Sequence, residues 1–296
     1  MPDRIGLIYA FTYTVFWAAA NVVMRRLTRQ LSPTLIVGLR AVIGTLVLVP
    51  TALLVRPQDY ALMTPTRVAF LSGSVVIGGV FGSIANVYSL KLLGVARSTP
   101  VSNSTPLFAI LFSYLLLAQA PGPCLIPGSL LVLVGVYFVS RPGGAAAEQG
   151  RALSRRDLVV GLLFAVSAAA LWGLNGVVLS MGLTGINPIV ANSVRTPVVA
   201  VMSMAMSAVG REWPQMRRIG RNELWLLLLL GTVGYAVLST LYVSAVQAIG
   251  PSLTQVIGNT APLFALPLGM AFLGERPTRR TALGAALTVA GILLVV

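Results

Sequence analysis

Long apolar stretches alternate with short polar loops along the whole chain. A membrane-spanning helix needs about 20 mostly apolar residues. Marked out by that measure, ten stretches are present. They lie near residues 5–24, 33–55, 67–90, 97–118, 124–140, 158–180, 188–209, 224–247, 251–273 and 281–296. The pattern therefore predicts an all-α integral membrane protein with ten transmembrane helices.

Composition agrees with a membrane solvent. Of the 296 residues, 56% are hydrophobic and 9% are charged, and the mean hydropathy is +0.88, whereas a soluble domain carries about 25% charged residues. The first stretch can be read as a cleaved signal peptide. It is long for one, however, and its end, Trp17 to Asn21, resembles Leu171 to Asn175. We therefore interpret it as a retained helix.

The net charge of +14 could indicate nucleic-acid binding. The basic residues lie in short loops between the stretches, however, and alternate loops fall on opposite faces. One face has Arg4, Arg56 and Arg67, and the other has Arg25, Arg26, Arg29, Lys91, Arg97, Arg141, Arg151, Arg155, Arg156, Arg211, Arg217, Arg218, Arg221, Arg276, Arg279 and Arg280. The basic face of a membrane protein is cytoplasmic. We expect a multi-pass protein of the plasma (inner) membrane with both termini outside, on the periplasmic side.

The region from Asn86 to Pro121 occurs a second time, 156 positions later, as Tyr242 to Pro277. Matching residues include Gly94 with Gly250, Asn103 with Asn259, and Pro106 with Pro262. A fixed period of this length indicates a duplicated unit. Its two copies are predicted as residues 1–140 and 158–296, joined by a cytoplasmic linker at 141–157 that is rich in Gly, Ala and Arg.

Each copy contains five predicted spans, an odd number, so the second copy enters the membrane from the opposite side. The duplication is therefore predicted to be an inverted repeat. Secondary transporters commonly have this architecture, with the substrate site near the membrane midplane. We expect the two five-helix repeats to surround a central cavity.

Missing residue types exclude several kinds of chemistry. There is no histidine, and the seven acidic residues all lie in predicted loops or at predicted helix ends. Intramembrane proteases and Ser-His hydrolases would lack catalytic groups, and no Walker loop is present. We expect no enzyme activity, no metal and no cofactor. Without an intramembrane carboxylate for proton relay, downhill transport is expected.

Arg40 and Arg195 lie inside predicted spans, each seven residues after a proline, Pro33 or Pro188. That spacing places each arginine about 10 Å into its helix. One interpretation is a cationic contact for a substrate carboxylate. The other is snorkelling to the interface or capping of a neighbouring helix. The sequence leaves both open.

Asparagine and proline mark further candidate positions. Amides in hydrocarbon need polar partners, which either line a cavity or bond neighbouring helices. The asparagines within spans are Asn21, Asn86, Asn103, Asn175, Asn192 and Asn259. Pro106 and Pro262 lie mid-span in predicted helices 4 and 9, where proline kinks a helix, so we expect hinges or static curvature there.

Aromatic residues in or beside these spans complete the candidate cavity: Trp17, Tyr88, Trp172, Tyr235 and Tyr242. An apolar pocket with a few polar groups suits a medium-sized amphipathic solute. Gly78 and Gly82 have the spacing of a helix-packing motif, although such a match is frequent by chance.

With these motifs the chain resembles the drug/metabolite transporter superfamily, in particular its ten-helix EamA-like members. The resemblance rests on Trp172-Gly173-Leu174-Asn175, the proline–arginine pairs above, Pro-Leu-Phe at 106–108 and 262–264, and Leu-Gly-Glu-Arg-Pro at 273–277. It implies export or exchange of small metabolites, with amino acids, including aromatic ones, a frequent substrate class. The first half departs from the last motif, with Ala118-Gln119 in place of Gly274-Glu275.

We therefore expect a permease that moves amino acids or similar metabolites by alternating access. The expected partners are this solute and the lipid bilayer, with no nucleic acid, and a monomer is compatible with the sequence. The alternative is efflux of lipophilic cations or drugs. A membrane-embedded acidic residue would favour this alternative, and the predicted spans contain none. A non-transporting scaffold ranks last, because the chain has no soluble domain or long loop.

Overall fold

The computed structural model describes residues 3–27, 30–93, 95–140, 154–264 and 279–296, and within these ranges it leaves the side chains of residues 21–23, 25, 26, 95, 96 and 140 undescribed. Within these ranges the regular secondary structure is helical, and no strand occurs among them.

The first half of the chain forms seven α-helices. They are α1 (Arg4–Leu27), α2 (Pro33–Val55), α3 (Pro65–Val75), α4 (Ser83–Leu93), α5 (Val95–Ser102), α6 (Thr105–Leu117) and α7 (Leu125–Ser140). A short 3-10 helix, Pro57–Leu62, follows α2, and a π-helical segment, Val76–Gly82, joins α3 to α4.

The second half follows a similar order in its described ranges. Its helices are α8 (Arg155–Gly182), α9 (Pro188–Val209), α10 (Arg221–Gly231), α11 (Leu238–Gly258) and α12 (Arg279–Val295), with a 3-10 helix, Trp213–Arg218, after α9. Helix α11 is kinked at Gly250, whose backbone is not helical (φ 78°, ψ 164°). A second π-helical segment, Thr232–Val237, joins α10 to α11. Residues 261–264 are helical as well.

Helices α2 and α9 begin in the same way, because each starts with a capping side chain followed by a proline. Ser32 accepts a hydrogen bond from the Leu35 amide at 3.2 Å, and Asn187 accepts one from the Ile189 amide at 2.9 Å. In each case a proline follows the capping residue. Proline is tolerated there because its missing N–H would be unpaired anyway. Both helices match the predicted spans.

Six helical segments in the described part of the chain are long and apolar enough to cross a membrane: Pro33–Val55, Pro65–Leu93, Arg97–Leu117, Arg155–Gly182, Pro188–Val209 and Arg221–Gly258. Leu125–Val139 is a shorter apolar helix. Several membrane-spanning helices are thus present at the predicted positions. The count of ten stays a prediction, since residues 265–273 of the span expected at 251–273 are outside the described ranges.

The two π-helical segments occupy equivalent positions of the repeat, because Val76 shifted by 156 residues falls on Thr232. Glycines also correspond, Gly78 with Gly234. A π-helical turn holds one residue more than an α-helical turn, and such turns occur frequently at functional sites. The sequence reasoning did not predict them.

The helix predicted at 97–118 is broken and not merely kinked. Asn103 and Ser104 form a turn between α5 and α6, and Pro106 lies in the first turn of α6. Proline at a helix start removes no hydrogen bond, so the break relieves the strain that a mid-helix proline would cause. The second copy has the same turn at Asn259 and Thr260, before Pro262.

The chain packs into two compact units. The first unit comprises Met1–Asp3, Ile77–Val177 and Ile249–Val296, and the second comprises Arg4–Val76 and Val178–Ala248. Each unit contains segments of both sequence halves. The halves describe the repeat and the units describe packing, so the predicted division at the 141–157 linker stays a prediction.

The second unit is built around the pairing of α2 with α9. Gly38 of α2 lies against Met204 of α9, where a Cβ on Gly38 would be 2.8 Å from the Met204 sulfur. Further along α2, Ile43 packs on Gly231, where an added Cβ would be 2.6 Å away. The buried core of this unit includes Leu35, Ile36, Ala41, Val190 and Leu230.

The first unit is organised by the pair α7 and α12, which approach through reciprocal glycines. A Cβ on Gly135 would be 2.6 Å from the Gly284 carbonyl oxygen, and one on Gly284 would be 2.7 Å from that of Gly135. Gly128 and Gly291 stand in the same relation, at 2.9 and 2.7 Å. These glycines are repeat-equivalents, and lipid-exposed helices associate closely where such small residues meet.

Because of this close approach, we predict that Gly284→Ala lowers the thermal stability of the purified protein in detergent. An added methyl group would have to displace the α7 backbone, and overpacking of this kind costs about 1–3 kcal/mol. The melting temperature, followed by the loss of the monodisperse chromatographic peak after heating, measures the effect.

Gly73→Ala in α3 is the matched control, since a Cβ there would meet nothing within 4 Å. Alanine also has the higher helix propensity. Equal melting temperatures for the two variants would contradict the packing assigned to α7 and α12.

Candidate functional site

The predicted site residues divide between the two compact units. The second unit holds Trp17, Asn21, Arg40, Asn192, Arg195, Tyr235 and Tyr242, and the first holds Asn86, Tyr88, Asn103, Trp172, Asn175 and Asn259 together with Pro106 and Pro262. The side chain of Asn21 lies outside the described residues.

In the second unit the Arg195 guanidinium donates hydrogen bonds to uncharged side chains. Its Nε donates to the Ser74 hydroxyl at 3.2 Å, and its Nη1 donates to the Asn192 side-chain oxygen at 3.1 Å. Arg195 and Asn192 are 6% and 1% exposed. The guanidinium is therefore buried, and both of these partners are uncharged.

The partners of Arg195 are themselves fixed. Ser74 donates its own proton to the Leu71 carbonyl at 2.7 Å. Asn192 donates to the Thr240 hydroxyl at 3.4 Å, and Thr240 donates to the Ala236 carbonyl at 2.7 Å. The Ser74 and Thr240 hydroxyls donate their protons to carbonyls of their own helices, and the side-chain N–H of Asn192 is donated to Thr240. The side-chain oxygens of Ser74 and Asn192 therefore accept hydrogen bonds from the guanidinium. This preorganises the arginine.

Arg40 has different surroundings in the same unit. Its Nε donates to the backbone carbonyl of Leu230 at 3.3 Å, and its Nη1 lies 3.0 Å from the Met24 sulfur. The guanidinium carbon is 5.6 Å from the centre of the Tyr235 ring, within cation–π range. Nη2 packs beside Gly234, where an added Cβ would be 3.2 Å away.

The two arginines bind equivalent points of the repeat. Leu230 and Ser74 are 156 positions apart, and each lies two residues before a π-helical segment. Each arginine thus anchors the helix that leads into a π-helical segment. Arg40 bonds a backbone carbonyl of a neighbouring helix, the contact that one sequence interpretation named, whereas Arg195 bonds side-chain oxygens. Contact with a substrate stays a prediction.

An aromatic cluster lies in the same unit. The ring of Tyr13 stacks with Trp17, their centres 6.0 Å apart, and is tilted against Tyr242 at 5.3 Å. Tyr242 and Tyr235 lie within electrostatic range of the Arg195 guanidinium. Four of the predicted residues, with Tyr13 added, are therefore brought into one neighbourhood.

In the first unit Trp172 and Asn175 dock on the first π-helical segment. The Trp172 indole N–H donates to the Gly78 carbonyl at 3.1 Å. A Cβ on Gly78 would be 2.6 Å from the Asn175 Cβ, and one on Gly82 would be 2.8 Å from Trp172 Cδ1. The Gly78–Gly82 spacing is thus a genuine packing motif against α8.

Asn175 has one polar atom without a partner in the described part of the chain. Its side-chain oxygen is buried there and accepts no hydrogen bond. Gln255 lies nearby and donates to the Trp172 carbonyl at 3.4 Å. A buried acceptor left open in this way is costly, and in native proteins it usually marks a ligand, a water or a stored strain.

Asn103 and Asn259 occupy the paired helix breaks, as their repeat relation suggested. Asn259 donates to the Gln255 carbonyl at 3.2 Å, which satisfies the end of α11. Ser252, seven residues before Asn259, donates to the Ser113 hydroxyl at 2.9 Å and so joins α11 to α6 within this unit. Broken helices with freed backbone groups are the usual substrate-binding elements of secondary transporters.

Asn86 and Tyr88 are not brought to these groups by any described contact. Tyr88 is 49% exposed and stacks on Phe164 at 5.2 Å. Asn86 is half-buried on the same helix, α4. Sequence reasoning missed Tyr13, Ser74, Thr240 and Gln255, which hold the predicted residues in place. The Gly78–Gly234 match was the available signal for the π-helical segments.

The surroundings of the buried arginines contain no described metal-binding group. No cluster of three or more His, Cys, Asp or Glu occurs among the residues that the structure describes. Described acids bond elsewhere: Asp59 accepts from the Asn187 amide and Glu212 from Ser207. The electrostatic character of the second unit's polar cluster is therefore positive.

Comparison with known proteins gives the family. The model of the EamA-like transporter family matches the chain twice, over residues 4–141 and 159–296. One solved crystal structure aligns with a TM-score of 0.80 over 99% of this chain and 96% of its own, at 22% identity. That likeness shows the fold.

Relatives by sequence are named as transporters. An uncharacterized transporter of Archaeoglobus fulgidus is 23% identical over 291 residues, 98% of this chain and 97% of that protein. A probable amino-acid metabolite efflux pump of Escherichia coli K12 is 28% identical over 147 residues, 49% of this chain and 44% of that protein. These names indicate a transporter and not an enzyme. Since the family model covers both halves of the sequence, this multi-pass membrane protein belongs to the EamA-like transporter family.

Proposed function

We propose that the protein is a secondary transporter that exports amino acids, aromatic ones included, or similar small metabolites by alternating access. The observation that carries the proposal is the buried arginine cluster with neutral partners in the second unit. A charged side chain within a membrane protein is costly and commonly marks a substrate or ion pathway. A solute carboxylate would neutralise that charge.

Two further observations support this class of solute. The aromatic cluster of Tyr13, Trp17 and Tyr242 offers apolar surface in the same unit as the arginines. The matched Escherichia coli relative is named as an amino-acid metabolite efflux pump. Because that match covers less than half of either chain, the substrate class is a proposal and not a transfer of its name.

Export of lipophilic cations is the weaker alternative. The aromatic cluster could accept a cation by cation–π contact. Two buried guanidinium groups in the same unit would repel it, and in the described ranges no acid bonds to either of them. The arginine cluster therefore favours carboxylates over cations.

Alternating access needs parts of the helices that can change conformation. The paired breaks at Asn103 and Asn259 and the two π-helical segments are the candidate positions, and Pro106 and Pro262 are the candidate hinges. Helix interruptions let one side of a transporter open while the rest of the bundle stays packed. The predicted spans contain no acidic residue for a proton relay, so we infer downhill flux.

We predict that purified protein in proteoliposomes takes up labelled aromatic amino acids without a pH gradient. The reason is that no titratable carboxylate lies within the predicted spans. Initial rates are compared in symmetric buffer and with an imposed gradient, with protein-free liposomes as the control. Flux that requires the gradient would contradict downhill transport, and flux of lipophilic cations alone would favour the alternative.

We predict that Asn103→Ala lowers the flux by about tenfold, the worth of one hydrogen bond to a solute, and leaves the melting temperature nearly unchanged. The Asn103 side chain makes no hydrogen bond in the described part of the chain, so its removal costs the fold little. Asn259→Ala is the matched comparison, since that side chain also bonds the Gln255 carbonyl. Parallel losses of flux and stability in Asn103→Ala would assign this residue to packing.

Orientation is a separate proposal. The strongly basic face is proposed to be cytoplasmic, with both termini on the outer side of the inner membrane. In a Cys124→Ser background, Ser154→Cys should react with an impermeant maleimide only in inside-out vesicles, and Val296→Cys only in right-side-out vesicles. Labelling of both from one side would contradict the proposed topology.

A further inference from the structure

The two buried arginines are equivalent in sequence and unequal in surroundings. Three polar side chains form the network of Arg195: Ser74, Asn192 and Thr240. In the repeat, Ser74, Asn192 and Thr240 correspond to Leu230, Val37 and Ile84, all of which are apolar. The polar network therefore exists around one arginine of the pair only.

The contacts of Arg40 satisfy it as a structural group. A backbone carbonyl, a thioether sulfur, an aromatic face and a glycine surround its guanidinium. Its hydrogen bond to Leu230 fixes the helix that enters the second π-helical segment. A solute carboxylate would have to displace several of these contacts to reach it.

Arg195 has N–H donors that are not used by its two hydrogen bonds to Ser74 and Asn192. Its bonds run from Nε and Nη1, and Nη2 makes no hydrogen bond to any residue that the structure describes. A guanidinium has five N–H donors in one plane, and two adjacent donors match the two oxygens of a carboxylate. The bonds to Ser74 and Asn192 orient this plane without neutralising its charge.

We propose that Arg195 is the residue that recognises the solute carboxylate, whereas Arg40 is a positioning residue for the second π-helical segment. The inference rests on the proposed function and names its specificity determinant. Tyr242, packed against Tyr13 with ring centres 5.3 Å apart, supplies aromatic surface in the unit that contains Arg195. The solute class is a free carboxylate attached to an apolar or aromatic side chain, and its amino group is not required for binding.

The test uses the purified full-length protein in detergent and three probes of one shape: phenylalanine, 3-phenylpropionate and phenylalaninamide. Binding of each probe is measured as the concentration that gives half of the maximal increase in the melting temperature of the protein. For the wild-type protein we expect the two carboxylates to bind on the order of tenfold to a hundredfold more tightly than the amide, as for a hydrogen-bonded charged group.

Arg195→Gln should abolish this preference, bringing the three probes within about threefold of one another, because the amide of glutamine carries no charge. Arg195→Lys should restore part of it, since lysine keeps the charge without the paired donors. Arg40→Gln, the repeat-matched control, should lower the melting temperature of the protein and retain the preference for carboxylates.

The outcomes separate this inference from the proposed function. Binding of both carboxylates through Arg195, with no amino-acid flux in proteoliposomes, would overturn amino-acid transport and leave the carboxylate site in place. A wild-type protein that binds no carboxylate more tightly than the amide would overturn the inference. So would an Arg195→Gln variant that keeps the preference, or an Arg40→Gln variant that loses it.

Discussion

Burial of a guanidinium among neutral groups is the constraint on which the second unit depends. Arg195 and Arg40 are each more than nine-tenths buried, and each donates a hydrogen bond to the helix that leads into a π-helical segment. A membrane interior makes such a bond hard to replace, because water is not available as an alternative partner. The arginines therefore fix the approach of α2 and α9 to the helices beside them, and the irregular turns are held between regular ones.

The same chemistry was kept in both copies of the repeat and then used differently. Arg195 bonds hydroxyl and amide side chains, and the repeat-equivalent positions of those side chains are aliphatic in the other copy. The first unit, with its helix breaks at Asn103 and Asn259, retains closer symmetry, since both breaks combine asparagine with a following proline. The repeat thus provides a symmetric frame in which one arginine became free for recognition while its counterpart stayed structural.

Much of the frame could be predicted from sequence, because helix positions follow from apolar length and capping residues. Ser32-Pro33 and Asn187-Pro188 start α2 and α9 where the pattern placed them, and the repeat paired Arg40 with Arg195. The partners of these arginines could not be predicted. Spacing along a helix gives the face on which a residue lies, but not which neighbouring helix meets it, so Ser74, Thr240 and Tyr13 went unnoticed. The π-helical segments depend on backbone pairing that glycine permits but does not require.

The reciprocal glycines of α7 and α12 also limit which substitutions the sequence can accept. Each carbonyl faces the opposite glycine, so a methyl group gained on either helix of the pair collides with main chain, and not only with side chains that could rotate away. No substitution on the partner can make room, because glycine is already the smallest residue. Duplicated genes usually diverge by compensating changes in the two copies. At these four positions no compensating substitution is possible, and both copies of the repeat are therefore expected to have kept glycine.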